Sequence, residues 1–261
     1  MTTGGGVSIT GATPRSDSDP AGPAKLARPA PTDRTRFALA WYRLVQLTTL
    51  ALFSAPGGGL RASGRRHIPE AGGALLVSNH LSHLDVLVLG TLLPRPLNFV
   101  ARSTLFFPPL GTIIRSLGAF PIQRDGMGAQ GLKETLRRLR AGGIVTLFPE
   151  GTRSPDGELG PLKQGIAVLA ARARVPIIPA AIVGTFEAWP RTRPFPRRRP
   201  IRVHYGRPIA PEEIAGCAPE AVAELIRARI LDCQLRARRN LECGLGGAPT
   251  DFAIGQPDQM D

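Results

Sequence analysis

The sequence predicts an α/β fold, a central mixed, largely parallel sheet flanked by helices, with an N-terminal membrane-associated helix. Three observations lead there. Six short apolar runs, each bounded by turn residues, read as buried strands. Between them lie stretches whose apolar residues recur at helical spacing, and alternation of strands with helices is the pattern of a parallel sheet. Ahead of them stands one long apolar block, residues 37–55, set between arginines.

Residues 1–35 are rich in Gly, Pro, Ser, Thr and Ala and lack the apolar core of a signal peptide. They are expected to form a disordered lead. Residues 36–56 are expected to form the membrane-associated helix. The block Phe37–Ala55 has the length of a short span, roughly 17–25 residues, but Arg43 and Gln46 lie inside it. A central Arg costs about 2.5–3.5 kcal/mol on insertion scales. A helix lying in the membrane interface avoids that cost, with Trp41 and Tyr42 at headgroup depth and Arg43 snorkelling. The competing reading is an ordinary core helix that covers the domain.

Pro56-Gly57-Gly58-Gly59 breaks the chain, and a main domain, 57–243, follows. Its strands are expected at Ala74–Val77, Leu97–Val100, Ala119–Ile122, Ile144–Phe148, Ile177–Val183 and Ile201–Tyr205. Leu132, Leu136 and Leu139 recur at i, i+4, i+7, with Lys133, Glu134, Arg137, Arg138 and Arg140 on the other faces, which predicts an amphipathic helix. Residues 163–174 read as a second. Val222, Leu225, Ile226, Ile230 and Cys233 make the stripe of a third, interrupted by Arg229, whose stem could lie along the apolar edge. Residues 244–261 read as a flexible tail.

Lys and Arg number 33 against 20 Asp and Glu, a formal net charge of +13. Such a surplus suits an anionic partner: nucleic acid, an anionic membrane or a phosphorylated substrate. Aromatic residues make up only 5%, which leaves few platforms for stacking single-stranded nucleic acid. Cys217, Cys233 and Cys243 show no metal-ligand spacing and read as reduced thiols of a cytosolic chain.

Two constellations carry chemistry. Asn79-His80-Leu81-Ser82-His83-Leu84-Asp85 follows a strand run, where α/β folds place their sites. On a continuous helix His80 and Asp85 would stand about 140° apart. They meet only if His80 sits in the turn and Asp85 in the first turn of the next helix. His80 is then a general base and Asp85 its orienting carboxylate. The plainer reading is a capping box, Ser82-x-x-Asp85, with no catalytic role. The second constellation is Phe148-Pro149-Glu150-Gly151-Thr152-Arg153-Ser154, again after a strand run. Gly151 admits close backbone approach, Thr152 and Ser154 offer hydroxyls, and Arg153 offers a planar fork that fits phosphate. Its plainer reading is a polar turn continued by Pro155-Asp156-Gly157.

These two motifs, taken with Gly118-Ala119-Phe120-Pro121-Ile122-Gln123-Arg124 between them and Val175-Pro176-Ile177-Ile178-Pro179-Ala180 after them, resemble the four blocks of the 1-acylglycerol-3-phosphate acyltransferase family, in the family's order. The resemblance covers about residues 60–210. It implies that His80 deprotonates the acceptor hydroxyl and that Asp85 holds and charge-stabilises His80. It implies that Arg124, Glu150, Gly151, Thr152 and Arg153 bind the acceptor, the arginines through its phosphate. Pro176 would shape the sheet end or an acyl pocket. The donor would be acyl-CoA or acyl carrier protein, as co-substrate, with no metal or bound cofactor. Pro121 departs from the family's usual apolar residue and suits a strand edge.

The implied reaction gives phosphatidic acid from a lysophospholipid, at the cytoplasmic face of a membrane to which the protein is attached peripherally or monotopically. Another lysolipid or an amino-lipid is the nearest alternative acceptor. A serine hydrolase using Ser82 or Ser78 would lack the G-x-S-x-G elbow. A non-catalytic basic membrane-binding protein would leave both polar motifs unexplained. Arg191, Arg193, Arg197, Arg198 and Arg199 crowd a Pro-rich loop beside Trp189 and Phe195. It reads as an anionic-membrane patch, a dock for acyl carrier protein, a nucleic-acid patch or a merely solvated loop. No nucleic-acid partner is expected for the chain as a whole. Thr104–Leu110 is a second apolar stretch, which enters a bilayer, lines an acyl tunnel or joins the core.

Overall fold

Seven strands make one sheet in the computed structural model, which describes Met1 and residues 35–53, 59–122, 128–190 and 192–244. The strands are β1 (Leu60–Ser63), β2 (Ala74–Ser78), β3 (Leu97–Arg102), β4 (Ala119–Ile122), β5 (Ile144–Leu147), β6 (Ile177–Val183) and β7 (Ile201–Tyr205). The helices are α1 (Arg36–Phe53), α2 (Asp85–Thr91), α3 (Leu110–Ser116), α4 (Gly128–Arg140), α5 (Gly165–Ala173), α6 (Thr185–Ala188) and α7 (Pro219–Glu242). The sheet order is β1-β7-β6-β2-β5-β3-β4. Every neighbouring pair is parallel except β6–β7. The sheet is thus mixed and largely parallel. The lead at 2–34, the glycine break at 54–58 and the tail at 245–261 lie outside the described residues.

The central strands β2, β5 and β6 are buried along their whole length. A strand covered on both faces needs no polar alternation, which is why these segments read as continuous apolar runs. Leu76 packs with Leu84, Val88 and Leu89 on one side of the sheet. Leu75 and Val77 pack with α5 and α7 residues, among them Leu169, Ile226 and Ile230, on the other. β1 was not expected. Its four residues, Leu-Arg-Ala-Ser, bury only Leu60, and it pairs with β7 alone at one edge. β4 is the other edge, and Pro121 is exposed there, where a missing N–H costs no ladder bond. α7 is longer than its stripe suggested. Arg229 turns away from the buried face, 45% exposed and 3.9 Å from Glu213, rather than lying along it.

α1 is an amphipathic helix turned inside out. Its polar residues Gln46 and Thr49 are buried, with Tyr42 and Phe53. Its apolar residues Phe37, Leu44, Leu47 and Leu52 are exposed, each by more than half. The cause lies at the end of α2 and in the turn after it, whose carbonyls take donors from α1 side chains. Gln46 Nε2 donates to Gly90 O at 2.6 Å and to Leu93 O at 3.0 Å. Arg43 Nη2 donates to Pro94 O at 2.6 Å. The Tyr42 hydroxyl accepts from Leu97 N at 3.1 Å. Tyr42 and Arg43 therefore face the protein, not a headgroup layer. Gly90 allows the approach, since a Cβ there would lie 2.6 Å from the Tyr42 hydroxyl. Among the described residues no helix is long and apolar enough to cross a membrane.

β6 ends at Gly184, which turns the chain toward the end of β2. Its φ is +93°, and a Cβ would sit 2.1 Å from the Pro200 carbonyl oxygen. Gly184→Ala should therefore cost about 2–4 kcal/mol of stability, seen as a lowered urea midpoint at unchanged slope. A wild-type midpoint would show that the Pro200 carbonyl gives way freely.

Candidate active site

The site begins where β2 stops. Asn79 is buried and its side chain behaves as one more ladder residue: Nδ2 donates to Ile182 O at 2.9 Å and Oδ1 accepts from Ile182 N at 2.8 Å. This bond pair fixes the strand end, and His80 leaves the sheet at the C-terminal ends of the central strands. His80 stands in the turn and Asp85 opens α2, so the two meet as the spacing required. Their Nδ1···Oδ2 distance is 2.8 Å. The imidazole stacks on Phe148 with centroids 4.1 Å apart and planes 15° from parallel, leaving its side chain 21% exposed.

Asp85 is fully buried. Oδ2 also accepts from Leu81 N at 2.6 Å and from Ser82 N at 2.8 Å. Asp85 both caps the turn and holds His80; the two readings of Ser82-x-x-Asp85 are one arrangement. A buried carboxylate stays ionised only with such donors around it. Facing it, Nδ1 is the protonated nitrogen, which leaves the Nε2 lone pair free to take a proton.

The second motif is stitched to the first at the His80 backbone. His80 N donates to Glu150 Oε1 at 2.8 Å, and Ser154 N donates to His80 O at 2.7 Å. Glu150 Oε2 accepts from Gly160 N at 3.0 Å. Burial pushes the Glu150 carboxyl above the usual carboxylate range, against the smaller opposing effect of the Gly160 and His80 N–H groups. With 6% exposure and both oxygens occupied, Glu150 acts as a strut between the loops. Gly151 has φ +68°, and a Cβ there would lie 2.6 Å from Lys163 Cε and 2.9 Å from Nζ. Arg102 Nη2, at the end of β3, donates to Gly151 O at 3.2 Å. Thr152 is exposed and Arg153 half-buried in the same loop. Arg124 lies outside the described residues.

Arg102 and Lys163 went unnoticed in the sequence because neither stands in a motif. For Arg102 the available signal was a cation closing a strand run. Lys163 is placed by a return of the loop, its N–H bonding Pro149 O at 2.9 Å, which no spacing rule encodes. Pro176 precedes β6 at the end of the sheet remote from His80, with its carbonyl accepting from Leu75 N at 3.0 Å, so it shapes a sheet end and not a pocket at the site. Ser78 and Ser82 are fully buried. The Ser82 hydroxyl donates to Trp189 O at 2.8 Å and accepts from Leu84 N at 3.2 Å, and that commitment removes it as a nucleophile.

Residues 59–183, which hold both motifs, match the family model described as Acyltransferase. Over that stretch, just under half of its length, the chain is similar to the acyltransferase family. The 1-acyl-sn-glycerol-3-phosphate acyltransferase of Bacillus subtilis is 31% identical over 129 residues, covering 49% of this chain and 64% of that protein. The one from Limnanthes alba is 31% identical over 188 residues, 70% of this chain and 65% of that protein. The chain thus spans slightly less than two thirds of the length of these two relatives. The crystal structure of the 1-acyl-sn-glycerophosphate acyltransferase from Thermotoga maritima aligns with a TM-score of 0.61 at 23% identity over 78% of each chain, a likeness of fold.

Amide and alanine substitutions at Asp85 separate its two duties. Asp85→Asn keeps an oxygen for the Leu81 and Ser82 N–H groups but removes the charge that stabilises an imidazolium. Turnover should fall on the order of 10⁴-fold with little change in melting temperature. Asp85→Ala should lose turnover and also leave two N–H groups without an acceptor, at about 1–3 kcal/mol each. Near-wild-type turnover in Asp85→Asn would leave Asp85 as a cap alone.

Proposed function

We propose that the protein transfers an acyl chain from a thioester, acyl-CoA or acyl carrier protein, to the free hydroxyl of 1-acylglycerol-3-phosphate, giving phosphatidic acid. The observation that carries this reading is the His80–Asp85 pair, with its free Nε2 beside a loop that gathers Arg153, Arg102 and Lys163. The names borne by the relatives support it. In the proposed step Nε2 takes the proton of the acceptor hydroxyl as its oxygen attacks the thioester carbonyl carbon. Asp85 stabilises the imidazolium across the Nδ1–H bond. Collapse of the tetrahedral intermediate breaks the C–S bond, and the imidazolium returns its proton to the departing thiolate. Attack is direct, so no acyl-enzyme forms. Phe148 and Asp85 fix the ring from its face and its edge, which limits the reorganisation the step requires.

The acceptor's phosphate is a dianion near neutral pH, and Arg153 offers it a planar two-pronged donor. Its fatty chain keeps it in a bilayer, which favours a membrane-attached enzyme. The exposed stripe of α1, running from Phe37 through Leu44 and Leu47 to Leu52, supports peripheral attachment at the cytoplasmic face. Such a helix lies flat, its polar side already satisfied by the protein.

With a radiolabelled acyl thioester and lysophosphatidic acid, His80→Ala should abolish product while the fold survives. Product formation at the wild-type rate would sink the assignment. Arg153→Lys keeps the charge and loses the fork, so the acceptor KM should rise about tenfold with kcat largely kept; an unchanged KM removes Arg153 from the phosphate site. For the attachment, Leu44→Gln with Leu47→Gln retains helix propensity and the buried face of α1. This variant should float poorly with neutral vesicles yet melt like the wild type, and equal flotation would rule the stripe out as an anchor.

A further inference from the structure

Some surface arginines elsewhere have carboxylate partners. Arg137 and Arg138 pair with Glu134, Arg236 with Asp232, and Arg238 with Glu158. The loop between α6 and β7 is different. Arg193, Arg197, Arg198 and Arg199 are all exposed, and among the described residues none of the four pairs with a carboxylate. In their midst Phe195 is 78% exposed. Four cations within seven residues repel one another. An unpaired cluster around a bare aromatic ring is a surface that lacks an anionic partner.

The loop is held firmly where it leaves the site. Trp189 O accepts the Ser82 hydroxyl, two residues from His80, at 2.8 Å. The Trp189 ring lies against His83, with centroids 5.4 Å apart. Trp189 Nε1 donates to Arg193 O at 2.9 Å, and Arg197 N donates to Ala188 O at 2.7 Å. Pro190, Pro194, Pro196 and Pro200 restrict the backbone further. The segments flanking the loop join the core cluster that also holds the end of α1. Phe53, the last residue of α1, shares an apolar cluster with Ala188 and Ile201, and Trp189 packs against that cluster. Gly59 N donates to Phe53 O at 2.8 Å, and Ile201 N donates to Gly59 O at 3.1 Å.

We propose that the loop residues 192–199 form a docking surface for the anionic headgroups of a bilayer, with Phe195 entering the interface and Arg193, Arg197, Arg198 and Arg199 binding lipid phosphates. The bare Phe195 ring among the arginines selects a lipid surface over an acidic protein, because cations interleaved with an exposed apolar residue is the composition of an interfacial anchor. The inference rests on the membrane attachment proposed above. It adds lipid selectivity: α1 binds any bilayer, and the loop distinguishes an anionic one. Because the loop is pinned to the turn that carries His80, docking also sets that turn at headgroup level.

The test uses the full chain and two kinds of vesicle, phosphatidylcholine alone and phosphatidylcholine mixed with phosphatidylglycerol. The wild type should bind both and prefer the mixed vesicles, with the preference erased by high salt. Removing a cation near an anionic surface weakens binding about fivefold, so Arg197→Gln/Arg198→Gln/Arg199→Gln should lose on the order of 100-fold on mixed vesicles and nothing on neutral ones. The corresponding triple lysine variant should recover the preference, which excludes misfolding as the cause. Equal wild-type affinity for the two vesicles would overturn the loop's role while leaving α1 as the anchor. Wild-type binding to mixed vesicles alone would overturn the α1 anchor and leave the loop standing. If the glutamine variant binds mixed vesicles as the wild type does and shows a raised KM only for acyl carrier protein, the partner is an acidic protein and the proposal falls.

Discussion

Oδ2 of Asp85 receives the N–H groups of Leu81, Ser82 and the His80 ring, all within 2.8 Å. The site is arranged around that one atom. Fully buried carboxylates are costly, and this one is stable because the turn that precedes α2 curls to deliver two backbone donors. The same curl sets the imidazole. Its backbone is then clamped from the other side by Glu150 and Ser154, so the ring is fixed through its nitrogen, its face and both of its main-chain polar groups. Glu150 contributes here by holding His80 rather than by reaching outward. Placement on a strand end, where the Asn79 amide closes the ladder, ties the geometry to the most buried part of the sheet.

α1 shows how a backbone requirement can override hydrophobic sorting. The end of α2 and the turn after it present carbonyls with acceptor capacity to spare, and Gln46 and Arg43 supply donors to them. Once those polar residues face inward, the leucines must face outward. The exposed stripe accompanies hydrogen-bond satisfaction inside, and it gives the molecule an apolar surface.

The parallel core was legible because strands buried on both faces leave an apolar run that composition alone reveals; Ile177–Val183 and Ile201–Tyr205 match to the residue. The edge strand Leu60–Ser63 was not, since a strand covered on one side and paired once carries too few apolar residues to stand out. α3 and α6 are short and set by neighbouring turns. In the site, the His80–Asp85 pairing could be read from spacing because a turn followed by a helix N-terminus is a local event. The inward roles of Tyr42 and Arg43 could not, because they depend on backbone groups some fifty residues away in the chain. Lys163 over Gly151 was hidden for the same reason, a contact made by the closing of a loop.

Pro121 bears on how copies of this chain tolerate one another. Among the described residues β4 is an edge strand, and an open edge offers its unpaired N–H and C=O groups to any strand that drifts alongside. A proline in the middle of that four-residue strand deletes a donor and puts a ring in the path of an incoming backbone. The residue that departs from the family's usual pattern protects the sheet against polymerising with its neighbours.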